Sequence, residues 1–208
     1  MSELVERTRN SVGLVEPAGR RVEEAAAREV AAAYAAARTR LDPLTRAAYA
    51  RLATESDRLF GLIASADRPD PVRVRYTTCA EPYRDARELI ASVTGGRLLE
   101  VTTVAADPHR RHPLMDSTRG GAYDRFRAVH DILGHAGLGL GFDRHGEFAT
   151  WLHQERFHSP LARRALATEL HGQHSVYWTT GHMAEPKAVL LDPDLVARSH
   201  GFRHACRL

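Results

Sequence analysis

An alanine-rich stretch from residue 20 to about 40 carries Val22, Val30, Tyr34 and Leu41 among charged side chains, a pattern of high helix propensity. Asp42-Pro43 restarts it, because Asp is a good N-cap and Pro is favoured in the first turn. A second helix is therefore predicted from Pro43 to about Ser65, antiparallel to the first. Asp67-Arg68-Pro69-Asp70-Pro71 breaks the chain, and Val72, Val74 and Tyr76 then alternate with arginines as a half-buried strand requires. A helix from Pro82 to about Val93, closed by Thr94-Gly95-Gly96, leads to a second strand from Leu98 to Val104, giving a small β-α-β element without a glycine-rich phosphate loop. After a loop from Asp107-Pro108 to Gly121, further helices are predicted at 122–135, 145–157, 161–175 and 184–191, with Pro160 and Pro186 as punctuation. The expected fold is mainly α: one compact helical domain, 1–208, with a two-stranded β-α-β element in mid-chain. Within it, 1–66 is a helical scaffold, 67–108 the β-α-β element and 109–208 a helical metal-binding half.

Composition narrows the class. A chain of 208 residues, 43% hydrophobic and 26% charged, buries roughly 70% of its unfolded surface and needs no metal merely to fold. Any metal site would then serve function. Cys79 and Cys206 lie far apart in no C-x-x-C arrangement, so neither a disulfide framework nor a thiolate site is expected, and a reducing cytoplasm fits. Neither an apolar leader nor 18 consecutive apolar residues occur, so membrane spanning is not expected. The 29 basic and 26 acidic residues are interspersed, giving a net charge of only +3. Without a clustered basic stripe, nucleic acid is not an expected partner.

All 12 histidines lie at or after His109, which puts the chemistry in the second half. In Phe126-Arg-Ala-Val-His130-Asp131-Ile-Leu-Gly134-His135, two imidazoles stand five residues apart around a glycine. On a straight α-helix five residues rotate by about 140°, so the rings would diverge where a metal needs them to converge. Gly134 permits a local break or widened turn that brings them together. Two His and one carboxylate leave positions open for oxygen and substrate, and Glu169 is the expected third ligand. Ala162, Ala165 and Leu166 at i−7, i−4 and i−3 put it on an apolar stripe, where a carboxylate needs a partner. Gln173 at i+4 would hydrogen-bond that carboxylate or a bound water.

Glu147, Asp131 and Gln173 are the candidates for orienting ligands or managing protons, and Trp151, at i+4 from Glu147, is a candidate substrate-contacting wall. His171 and His174 flank Glu169 and Gln173 and would act as outer groups or proton donors. His109, His112, His145, His153, His158, His182, His200 and His204 are expected mostly at the surface.

His130-Asp-Ile-Leu-Gly-His135, followed by Thr168-Glu169 on a later helix, resembles the iron-binding core of the pterin-dependent aromatic amino acid hydroxylases over about residues 126–175. The resemblance implies iron ligands His130, His135 and Glu169, a pterin co-substrate, and an upstream arginine that holds a substrate carboxylate. Arg110, Arg111 and Arg119 lie in the comparable stretch, and Arg111 is the chosen candidate. The spacer to Glu169 differs from the family pattern, and no pterin-binding segment is identified. The expected activity is that of a mononuclear non-heme Fe(II) oxygenase taking O₂ and a small substrate, amino-acid-like under the resemblance.

Three alternatives stand beside it. Glu147, Glu155 and Glu185, added to His130, His135 and Glu169, would make a helical di-iron carboxylate site. The doublet His130-Asp131, with His109 or His112 upstream and Asp143 downstream, would suit a metal-dependent phosphohydrolase of the HD class. A helical binding module would need no metal. A zinc peptidase is disfavoured, because H-E-x-x-H needs its histidines four apart.

Overall fold

The computed structural model describes residues 21–67, 70–103, 112–115 and 119–200. Arg110, Arg111, His109, His204 and Cys206 lie outside the described residues. Helix α1 spans Glu24–Ala36 and α2 Pro43–Ala64, the latter opened by Asp42, whose side chain accepts from the Thr45 amide. Strands β1 (Arg73–Thr77) and β2 (Leu98–Thr102) pair in parallel from Arg73↔Leu98 to Thr77↔Thr102, with α3 (Ala86–Gly96) crossing between them. Helix α3 starts later and ends later than its proline and glycines suggest. Asp85 supplies the N-cap, and Arg97 takes the left-handed conformation at φ 49° to close it.

The second half alternates helix types. Helix α4 (Ala122–Val129) runs into a π turn at His130–Ala136, and α5 (Arg144–Gln154) ends in a short 3₁₀ turn. Helix α6 (Pro160–Ala167), a second π turn at Thr168–Gly172 and α7 (Gln173–Thr180) form one continuous rod, and α8 spans Pro193–Ser199. The fold is mainly α with one small parallel sheet. No helix among the described residues is long and apolar enough to cross a membrane.

Two expectations are corrected. Residues 184–191 form no helix; they run as an irregular segment that buries Ala188 and Leu191, and the helix begins only at Pro193, capped by Asp192. Asp192-Pro193 repeats the signal of Asp42-Pro43, whereas Pro186 has no capping residue before it. Helices α1 and α2 do not pair along their lengths: α1 packs on α7 and α8, and α2 on α4 and α6. The Arg40 amide bonds to the Ala188 carbonyl, so the α1–α2 connection is tied to the irregular segment.

Three apolar clusters result; the smallest joins Val30 and Tyr34 of α1 to Leu191 and Leu195, and the two larger ones flank the site. Tyr49 and Leu52 of α2 meet Phe126, Phe148, Trp151 and Leu166 in one; Leu89, Val93, Leu99 and Val101 of the β-α-β element meet Val129, Ile132 and Leu133 in the other. The first π turn lies against α3 on one side and α5 on the other, and α5 also touches the second π turn. The histidine-rich residues are thus held between elements that both cores anchor.

Candidate metal centre

The widened turn is a π turn, which hydrogen-bonds residue i to i+5 and so stacks residues five apart on one face. His130 opens it and His135 follows five later, both buried, with their Nε2 atoms 3.2 Å apart. Two nitrogens, each about 2.1 Å from one ion and subtending roughly 100°, would lie about 3.2 Å apart. Gly134 is needed for a reason other than backbone freedom. A Cβ there would lie 2.0 Å from Thr150 Cγ2, so only glycine lets the π turn press against α5.

That close approach carries Glu147, in the first turn of α5, onto the imidazoles. Its Oε2 is 3.2 Å from His130 Nε2 and its Oε1 is 3.4 Å from His135 Nε2. The other ring nitrogens are already engaged: His135 Nδ1 donates to the Leu140 carbonyl at 3.2 Å and His130 Nδ1 to Gln154 Oε1 at 3.1 Å. Both neutral rings are thereby left with a bare Nε2 lone pair aimed at a carboxylate. Three acceptors facing one another in a buried site need a proton or a cation among them. Nδ1–H bonds to a carbonyl and an amide oxygen are also how metal-bound imidazoles are held by their surroundings.

The electrostatics fit. Burial opposes ionisation of Glu147, yet His174, His130 and His135 together hold its carboxyl well below the usual range. Burial likewise opposes charge on His135, but the hydrogen bond and charge of Glu147 raise it. Asp131 brings an oxygen within 4.8 Å of a ring nitrogen of each of His130 and His135, and burial pushes its carboxyl up.

Glu169 has different partners. Its Oε1 accepts from the Tyr49 hydroxyl at 2.6 Å and lies 3.0 Å from His112 Nε2, and its Oε2 accepts from Gln173 Nε2 at 2.9 Å. The expected Gln173–Glu169 bond is present, but the carboxylate at the two histidines is that of Glu147. Glu169 and Gln173 still line the same cavity, of about 700 Å³, as His130, His135, Glu147 and Asp131. Trp151 is placed away from that cavity: it is fully buried, with its indole stacked on His171 at 4.4 Å and 7°. Arg119 donates to the Tyr76 carbonyl at the sheet edge.

Among the described residues, two members of the alternative ligand sets, Glu155 and Asp143, have other partners. Glu155 pairs with His200 at 3.0 Å, away from Glu147. Asp143 caps α5 through the His145 and Gly146 amides. The other histidines are less superficial than expected, with His112, His153, His158 and His171 all buried.

Gln154 at the centre was not singled out from sequence, whereas His174 was expected as an outer group or proton donor. Gln154 lies at i+7 from Glu147 on the same helical face, a spacing that would have marked it. His174 follows Glu169 by five residues, repeating the His130–His135 interval across the second π turn. Comparison with protein-family models, curated proteins and solved structures finds no match for this chain.

Proposed function

We propose that this chain is a non-heme Fe(II)-dependent oxygenase whose two-His, one-carboxylate centre is His130, His135 and Glu147. The observation that carries the reading is the convergence of one carboxylate on two bare imidazole nitrogens, at 3.2 and 3.4 Å. Two imidazoles and a carboxylate with open positions suit ferrous iron that meets O₂. The HDILGH motif and its resemblance to the aromatic amino acid hydroxylases point the same way. Bound Fe(II) would supply one-electron chemistry toward O₂. Gln154 and the Leu140 carbonyl would fix the ligand tautomers, and Asp131, whose carboxyl burial pushes up, would exchange a proton beside the site.

The cavity suits a small organic substrate. Its outer edge carries Phe142, Tyr177 and Met183, all exposed, and Phe142 packs edge-on against His135 at 4.8 Å. An apolar substrate group would dock there and help exclude water from the reactive end. A pterin or other electron donor would share the same space. A reducing cytoplasm, where ferrous iron persists, is the compartment this chemistry needs.

The test is nitric oxide, a stable stand-in for O₂. Anaerobic Fe(II)-loaded protein should give the electron paramagnetic resonance signal of a spin-3/2 iron–nitrosyl, and His130→Ala should abolish it. An iron-loaded wild type that forms no nitrosyl would contradict an oxygenase and favour a closed or hydrolytic centre.

A further inference from the structure

His174 is not among the three proposed ligands, yet its Nδ1 is buried and without a hydrogen-bond partner. An orphaned buried ring nitrogen is costly, and here it lies 3.5 Å from Glu147 Oε2. Its ring is the third imidazole around one carboxylate, 6.3 Å from the His130 ring between centroids. The side chain is 21% exposed, and it lines the large cavity beside His130 and Glu147.

The separations around this point share one scale. His130 to His135, His130 to Glu147, His135 to Glu147 and His174 to Glu147 measure 3.2, 3.2, 3.4 and 3.5 Å. Neighbouring donors about 2.1 Å from a common ion, at angles between octahedral and tetrahedral, are spaced by about 3.0–3.4 Å, and the His174–Glu147 separation of 3.5 Å lies just beyond that span.

We propose that His174, through Nδ1, is a fourth protein ligand, making the centre three imidazoles and one carboxylate. This rests on the oxygenase reading's metal site but changes its chemistry. A six-coordinate ion would keep two positions for outside donors instead of three, so O₂ and a substrate binding through two atoms would not fit together. The second π turn also gains a purpose. It carries Glu169, held by Tyr49, His112 and Gln173, and leads directly into α7, so the start of α7 is fixed at the register that brings the His174 ring to Glu147.

The experiment counts imidazoles. X-ray absorption of the Fe(II)-loaded wild type should show three imidazole scattering paths, and His174→Ala and His174→Gln should show two. Metal affinity should fall by more than about 100-fold in both variants, beyond the roughly 10–100-fold typical of an outer-shell partner. The two variants guard against loss of fold, which circular dichroism checks, and the wild-type count needs neither. Two imidazoles in the wild type, or three retained in the variants, would overturn the proposal while leaving the His130–His135–Glu147 site standing. A wild type that binds no metal would overturn both.

Discussion

Gly134 decides whether the centre can form, because its missing side chain is what lets a π turn and a helix touch. A Cβ at this position meets Thr150 Cγ2 at 2.0 Å and Cβ at 3.0 Å, so Gly134→Ala has to move the turn or α5. Overpacking of this kind costs about 1–3 kcal/mol, and the displacement would separate Glu147 from both imidazoles. Urea unfolding should show that loss, together with weaker metal binding. Thr150 Oγ1 has no hydrogen-bond partner, so Thr150→Ala sacrifices little, and the double substitution should recover most of both effects. A Gly134→Ala protein with wild-type stability and metal affinity would show that the contact does not position Glu147.

Among elements, the two π turns hold His130, His135 and Glu169, while the straight helices supply most of the packing and also place Glu147 and His174. The straight helices were largely legible: Asp42-Pro43 marks the start of α2, and alternation over Val72 to Tyr76 marks β1. The π turns announce themselves only through intervals of five, between His130 and His135 and between Glu169 and His174. Glu147 and Glu169 both sit on buried helical faces, and no periodicity says which of them meets the histidines. That depends on how closely α5 docks on the first π turn, a tertiary fact set by Gly134 and Thr150. Residues 184–191 were misread because their buried Ala188 and Leu191 mimic a helical stripe, while the segment's polar contacts go to α1, through Lys187 to the carbonyls of Tyr34, Ala35 and Ala37.

The second π turn also makes a pH-dependent contribution to stability. His171 is buried against Trp151, and burial lowers its pKa from 6.5 to about 3, with His200 and His174 adding to the shift. A folded-state value below the unfolded one means that the unfolded chain binds more protons between those limits. Stability therefore falls as pH drops below about 6.5, by up to about 1.4 kcal/mol per unit for one such group. Chelator-treated wild type should lose about 1 kcal/mol more than His171→Phe between pH 7 and 5.5 in urea unfolding, because phenylalanine keeps the ring contact without the titration. Equal losses in the two proteins would show that His171 is not held neutral by its burial.

At the scale of the whole molecule, two apolar cores clamp one polar centre between them. The core of α2, α5 and α6 fixes Glu147 by burying Phe148 and Trp151 beside it, and the core around the sheet fixes the histidines by burying Val129, Ile132 and Leu133. Packing therefore holds His130, His135 and Glu147 facing one another, the kind of preorganisation that a metal site requires. The sheet itself stands behind α3 and α4 and contributes support rather than ligands.

The decisive measurement is Fe(II) content per chain after anaerobic loading, made on the wild type, Glu147→Ala and Glu169→Ala side by side. One iron in the wild type, lost in Glu147→Ala and kept in Glu169→Ala, is the expected result. Iron kept by Glu147→Ala but lost from Glu169→Ala, or a wild type that takes up none, would contradict the centre proposed here.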